Sequence, residues 1–329
     1  MNTGKFSIKF AFITIVFLGA VFVLSGCTTP PPEPPQPTQS PVEGVDPIVN
    51  GDWLAENLGA TNLRIVYVGT GRGAKSSYSK EHVPGSIFID ANDIMESPKT
   101  KGSSGIVASK AKFEKAMGDN GISNEDVVVV YGKYSGAWDA AWVARMWWTL
   151  KYYGHENIGI LDGGIEKWTS DGRETQGGGS PTVTPAVYTA DEPDAGTRAT
   201  GNYVLENLDN SDIVILDNRA KEEYDGKKKF GSERGGRIPG AVFLNWRDVM
   251  NPDYTFKSEE ELKNMYEAIG VTSDKEIIIY CQGGIRVSHT LIALKEILGY
   301  ENVRNYDGSW DEWANTKNTD GSYKYPIEK

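Results

Sequence analysis

Cysteine is scarce in this chain, with only Cys27 and Cys281 among 329 residues. Basic charge is also short: 34 Lys and Arg against 45 Asp and Glu give a formal net charge of −11. Phosphate neutralisation needs clustered Lys and Arg, so nucleic acid is not expected as a partner. No apolar run has the length and flanks of a transmembrane helix. The longest, Phe10 to Leu24, follows Lys5 and Lys9 and reads as the core of a signal peptide. What the chain does have is ordinary globular composition, 39% hydrophobic and 24% charged, which excludes a disordered protein. Its length suits two domains better than one.

The apolar run ends in Leu24-Ser25-Gly26-Cys27. Small residues before a cysteine here resemble the bacterial lipobox. The expectation is a lipoprotein signal over 1–27, diacylation of Cys27 and a membrane-anchored, extracytoplasmic protein of the cell envelope. Residues 28–47 are rich in Pro, Thr, Ser and Gln without apolar periodicity, as in an extended tether. With Cys27 acylated, Cys281 is the one free thiol and no intramolecular disulfide can form. A lone thiol is commonly an inert core residue, so its neighbours must decide.

The chain repeats itself. Glu56-Asn57-Leu58 returns as Glu206-Asn207-Leu208, and His82-Val83-Pro84-Gly85 as Arg237-Ile238-Pro239-Gly240. Val127–Tyr131 returns as Glu276–Tyr280, Gly154-His155-Glu156-Asn157 as Gly299-Tyr300-Glu301-Asn302, and Asp162-Gly163-Gly164 as Asp307-Gly308-Ser309. Matches in one order at nearly constant separation imply duplicated domains, expected at 48–176 and 200–329. Gly177-Gly178-Gly179-Ser180-Pro181 opens a linker over 177–199. In the second copy Ile213–Asp217, Ala241–Leu244 and Ile277–Tyr280 have strand character. Ser258 followed by three glutamates caps a helix, and Val287 to Leu298 has helical spacing. Alternating strands and helices with apolar strands predict two α/β domains, each a mostly parallel sheet flanked by helices.

In such sheets, sites form where strands end and helices begin. Cys281 stands at that place. It opens the loop Cys281-Gln282-Gly283-Gly284-Ile285-Arg286, which runs into the next helix. Two glycines let the backbone curl so that N–H groups can converge, and the helix terminus adds partial positive charge. A thiolate is favoured there.

Three segments resemble the rhodanese family. Tyr78 to Ser86 is similar to its N-terminal signature, with Ser86 where alanine is usual. Val303 to Trp313 is similar to its C-terminal signature, and Cys281 to Arg286 to its active-site loop. The resemblance implies a tandem sulfurtransferase with an inactive first domain, in which Gly132 stands where the second has Cys281 and the loop is about four residues longer. It implies double displacement through a Cys281 persulfide, cradled by Gln282, Gly283, Gly284, Ile285 and Arg286, with no metal and no organic cofactor. The donor is a small anion such as thiosulfate, and the acceptor a thiol or cyanide. Arg286 and Arg219 are the first candidates for holding the donor, Arg237 and Arg234 the next.

Three other readings stand beside it. Mercaptopyruvate-type relatives carry a loop serine where this chain has Gly283. Related dual-specificity phosphatases have five residues between Cys and Arg, and this loop has four. A non-catalytic sulfur carrier or sensor lipoprotein would keep the loop intact. Lys227-Lys228-Lys229 reads as a solvated run, His82 as structural, and Trp142, Trp147, Trp148, Tyr152 and Tyr153 as core or domain interface.

Overall fold

The computed structural model describes Met1, 40–96, 106–135 and 138–329; Cys27 and most of the expected tether lie outside these residues. In the first half the chain runs through β1 (Ile48–Val49), α1 (Gly51–Asn57), β2 (Leu63–Gly69), α2 (Gly71–Lys80), β3 (Ile87–Asp90), β4 (Met95–Glu96), β5 (Ile106–Val107), α3 (Lys110–Asp119), β6 (Val127–Tyr131), α4 (Asp139–Tyr152), β7 (Ile158–Leu161) and α5 (Gly164–Ser170). The second half follows with β8 (Arg198–Ala199), α6 (Gly201–Glu206), β9 (Ile213–Asp217), α7 (Lys221–Tyr224), β10 (Val242–Phe243), α8 (Glu259–Glu267), β11 (Glu276–Tyr280), α9 (Val287–Ile292), β12 (Val303–Tyr306) and α10 (Ser309–Asn315).

Two five-stranded sheets result, ordered β1-β7-β6-β2-β3 and β8-β12-β11-β9-β10. All their pairings are parallel. The two orders correspond strand for strand, as a duplication requires. Each sheet is centred on a strand that the sequence writes as a continuous apolar run. Val127–Tyr131 is buried throughout, and so are Ile277 to Tyr280. Helices on both faces leave no solvated side, so alternation is absent. Ser258 caps α8 as expected, its Oγ accepting the Glu261 N–H while the Glu261 carboxylate accepts the Ser258 N–H.

Both sheets belong to one compact unit. Helices α4 and α9 pack across the boundary between them. One apolar cluster runs through that boundary, from Trp147 and Trp148 of α4 to Leu291 and Ile292 of α9, and it includes Cys281. The aromatic residues of α4 are therefore interface core, with Trp147 and Trp148 buried and Trp142 half-buried beside a cavity. The helix expected to Leu298 is α-helical only to Ile292 and continues as a π-helix over Ala293–Ile297.

Candidate active site

Cys281 follows the last residue of β11, the central strand of the second sheet, and its side chain is 1% exposed. It lies at the wall of a cavity of about 750 Å³ between the two halves. The second half contributes Cys281, Gln282, Gly283, Ile285 and Arg286. The first contributes Met95, Lys112, Trp138 and Trp142 among others.

The loop carbonyls are tied back. Cys281 O accepts the Trp310 N–H at 3.0 Å and Gln282 O the Asp311 N–H at 2.8 Å, both from the start of α10. Gly284 O accepts from Arg145 of α4 at 2.8 Å. Among the described residues, none of the N–H groups of Gln282, Gly283, Gly284, Ile285 and Arg286 donates a hydrogen bond. In a planar trans peptide the N–H opposes the C=O, so tying back a carbonyl turns the following N–H the other way. Such a run of free N–H groups is an anion cradle. Gly284 holds the bend at φ +75°, and a Cβ there would lie 2.3 Å from Asp307 O, so only glycine fits. The Cys281 N–H donates to Ser309 Oγ at 3.1 Å, which fixes the first residue of the loop.

Arg286 reaches the cavity, and its guanidinium is already paired. Two nitrogens donate to the Glu223 carboxylate at 2.7 and 2.8 Å, both side chains being buried. Burial works against the Arg286 charge, but Glu223 and neighbouring Cys281 outweigh it and hold the guanidinium above its ordinary pKa. Burial likewise opposes the Glu223 charge, and Arg286 outweighs it, keeping that carboxylate below its usual range. The Arg286 guanidinium also lies 4.8 Å from the ring centre of Trp138. Its fork toward an anion is thus occupied by Glu223, and Arg286 offers the cavity its charge and the remaining N–H groups.

The other three arginines lie elsewhere. Arg219 is fully buried, bonded to Asp217 at 2.6 Å and to Gly236 O at 2.7 Å, with its guanidinium 4.4 Å from the ring centre of Trp310. Its partner Asp217 also accepts from Tyr280 Oη at 2.5 Å, so this pair braces the end of β11 rather than facing the cavity. Arg234 donates to the carbonyls of Trp313, Ala314 and Tyr325, closing the end of α10. Arg237 pairs with Glu328 and fastens the C-terminal segment. Gln282 also turns away, donating to Ser232 and Asp311. His82 is structural as expected, buried and stacked on Tyr78 with ring centres 4.1 Å apart.

Sequence reasoning missed Glu223, Ser309, Trp138 and Arg145. Glu223 had a signal, a glutamate four positions beyond the Asp-x-Arg of Asp217 to Arg219. Ser309 had one too, since it replaces Gly164 of the first copy. Nothing local marks Trp138 or Arg145, because their roles exist only across the domain boundary.

The first half keeps the scaffold of the loop without its chemistry. Gly132 O accepts the Ile165 N–H at 3.0 Å, the counterpart of the bond from Trp310 to Cys281. A Cβ on Gly132 would meet Val68 O at 2.7 Å and Val143 Cγ2 at 2.8 Å, so no cysteine fits there without movement.

Fold and site together define a duplicated α/β protein that presents, among the described residues, one thiol at the start of a strand-to-helix loop with free N–H groups. The rhodanese-like domain family matches residues 51–171 and 200–316, and the chain belongs to that family. It is 37% identical over 277 residues to a Mycobacterium tuberculosis protein named putative thiosulfate sulfurtransferase, spanning 82% of this chain and 95% of that one. It is 36% identical over 278 residues to the sulfur carrier protein TtuD of Thermus thermophilus, spanning 82% and 93%. Among solved structures, an anaerobic ergothioneine biosynthesis enzyme from Chlorobium limicola matches with a TM-score of 0.73 at 24% identity, covering 86% of this chain and 71% of that one. That likeness shows the fold alone.

Proposed function

We propose that this protein is a sulfurtransferase that takes the sulfane sulfur of thiosulfate onto Cys281 and passes it to a thiol or cyanide. The Cys281 thiolate attacks the outer sulfur of thiosulfate. A new S–S bond forms, the old one breaks, and sulfite leaves with the electron pair. The terminal persulfide sulfur then carries the negative charge, opposite the free loop N–H groups and the Arg286 guanidinium. An acceptor thiolate or cyanide attacks that sulfur and releases the Cys281 thiolate. Charge balances at each step without a metal or organic cofactor. The observation that carries this reading is a buried thiol at the wall of a cavity, in a loop whose Cys281, Gln282 and Gly284 carbonyls are tied back.

The cavity of about 750 Å³ is far larger than thiosulfate and lies within the range of organic-ligand pockets. Its tryptophan wall favours an organic thiol over cyanide as acceptor. The fit of Gly132 argues that the first domain carries no sulfur. The lipid-anchored, extracytoplasmic location remains part of the proposal, carried by the sequence before Cys27 alone. Mass spectrometry of the native N-terminus tests it, and an unmodified chain starting at Met1 refutes it.

Intact mass before and after thiosulfate tests the chemistry. Wild type gains one sulfur atom and loses it to a thiol, while Cys281→Ser gains none and stays folded by circular dichroism. Equal loading of both proteins would move the nucleophile elsewhere. Turnover with mercaptopyruvate measured beside thiosulfate separates the two donor classes.

A further inference from the structure

Three carbonyls of the Cys281 loop are tied back, and the third tie comes from the other domain. Arg145 lies on α4 of the first half and is fully buried. One of its nitrogens donates to Gly284 O at 2.8 Å, and another pairs with Asp307 at 2.7 Å, where both side chains are 0% exposed. Asp307 precedes α10, and its backbone carbonyl fills the place where a Gly284 Cβ would stand. Asp307 is itself held by the Val107 N–H at 3.1 Å and by Arg198 at 3.3 Å. Arg145 thus grips both ends of the packing that sets the bend at Gly284.

Among the described residues the mirror contact is missing. Val143 and Leu150-Lys151 match Val287 and Leu294-Lys295, so Arg145 of α4 corresponds to His289 of α9, the extra residue that follows being taken up by the π-helix. His289 stacks on Phe256 with ring centres 4.4 Å apart. The Asp307 contact to Val107 does have its mirror: Asp162 accepts the Phe256 N–H at 2.9 Å. The duplicated molecule therefore keeps the reciprocal aspartate contacts and carries an arginine on α4 where α9 carries a histidine.

We propose that Arg145 is a positioning residue, by which the first domain sets the persulfide loop of the second and tunes the reactivity of Cys281. Holding Gly284 O toward the first domain turns the Ile285 N–H toward the cradle. Without Arg145 the Gly284–Ile285 peptide is free to rotate, and the thiolate and the persulfide lose an oriented donor. The role rests on the sulfurtransferase reading for its purpose, yet its effect on the thiol is measurable without any sulfur donor.

The test compares wild type, Arg145→Met and Arg145→Lys in three measurements. These are thermal unfolding, the pH profile of Cys281 alkylation by iodoacetamide, and thiosulfate–cyanide kinetics at a temperature well below each unfolding midpoint. Arg145→Met should move the alkylation profile to higher pH by about one unit. It should lower kcat about tenfold, with a smaller change in the thiosulfate KM. Arg145→Lys keeps the charge toward Asp307 but cannot reach both partners with a planar fork, so it should fall between the two. A purely structural arginine would lower the unfolding midpoint and leave the alkylation profile in place. A folded Arg145→Met with the wild-type profile and kcat overturns the inference. If Arg145→Met does not fold, a Lys variant identical to wild type in profile and kcat overturns it equally. Should wild type take no sulfur from thiosulfate, the proposed function fails, while the alkylation profiles still decide the role of Arg145.

Discussion

At the residue scale, the pair of Arg286 and Glu223 decides how the site can be altered. Both side chains are almost wholly buried and doubly bonded to each other. Removing one partner leaves the other charge buried and unpaired, which costs about 3–5 kcal/mol, more than a lost contact to an anion would. Arg286→Met should therefore lower stability by that amount in urea titration, besides ending sulfur transfer. Replacing the pair with apolar residues of similar size is often neutral. Arg286→Met combined with Glu223→Leu should then recover most of the stability and none of the turnover. If activity returns with stability, Arg286 serves the fold alone. The pair also sets an acid limit. The folded-state pKa of Glu223 is depressed, so its contribution is fully present above the ordinary glutamate range. It is lost as pH falls through the lower folded value, and Glu223→Gln should remove that part of the acid transition.

At the element scale, the strand-to-helix turn after β11 depends on one glycine conformation. Gly284 has φ +75° and no room for a Cβ beside Asp307 O, whereas Gly299 has φ +68° and open space around it. Alanine at either position carries the left-handed penalty of about 1–2 kcal/mol. Gly284→Ala must also displace the loop from α10. It should lose more stability than Gly299→Ala and most of its sulfur transfer, while Gly299→Ala keeps its activity. Equal losses in both measurements would mean that the loop yields freely. This turn was legible in the sequence, because an apolar strand, a cysteine, paired glycines and a helical run follow one another locally. The strands Ile213–Asp217 and Glu276–Tyr280 were legible for the same reason, since continuous β-branched runs have no other stable place. The role of Arg219 was not. An arginine two residues after an aspartate at a strand end can face a cavity or fold back on that aspartate, and only the packing of Tyr280 and Trp310 around it selects the second. The partner of Arg286 was hidden likewise, because Glu223 and Arg286 meet only when α7 and the loop pack together.

At the scale of the whole molecule, duplication has left two aspartates that reach across the same boundary in opposite directions. Asp162 of the first domain accepts the Phe256 N–H, and Asp307 of the second accepts the Val107 N–H. Their surroundings differ. Burial, with Asp253 nearby, pushes the Asp162 carboxyl up to about 6. The folded protein therefore holds a proton there more tightly than the unfolded chain does. Stability falls as pH rises from the ordinary aspartate range to about 6, and the burdened charged form persists at neutral pH. Asp162→Asn keeps the oxygen that accepts the Phe256 N–H and removes the charge. It should stabilise the protein by about 1–2 kcal/mol at pH 7, a figure reduced because the site is partly solvated, and flatten the pH dependence between about 4 and 6. Asp307 instead carries the charge that Arg145 and Arg198 face. Asp307→Asn leaves the buried Arg145 without its carboxylate, so the same substitution should destabilise by about 3–5 kcal/mol. It should also slow sulfur transfer, because the loop bend packs on this residue. Urea titrations of both variants at pH 4.5 and pH 7 check the two signs together. The Asp162→Asn gain should shrink at the lower pH, where wild-type Asp162 already carries its proton. Two variants that respond alike would mean that the boundary treats its two aspartates as equivalent, and that the arginine on α4 adds nothing to the side that holds the thiol.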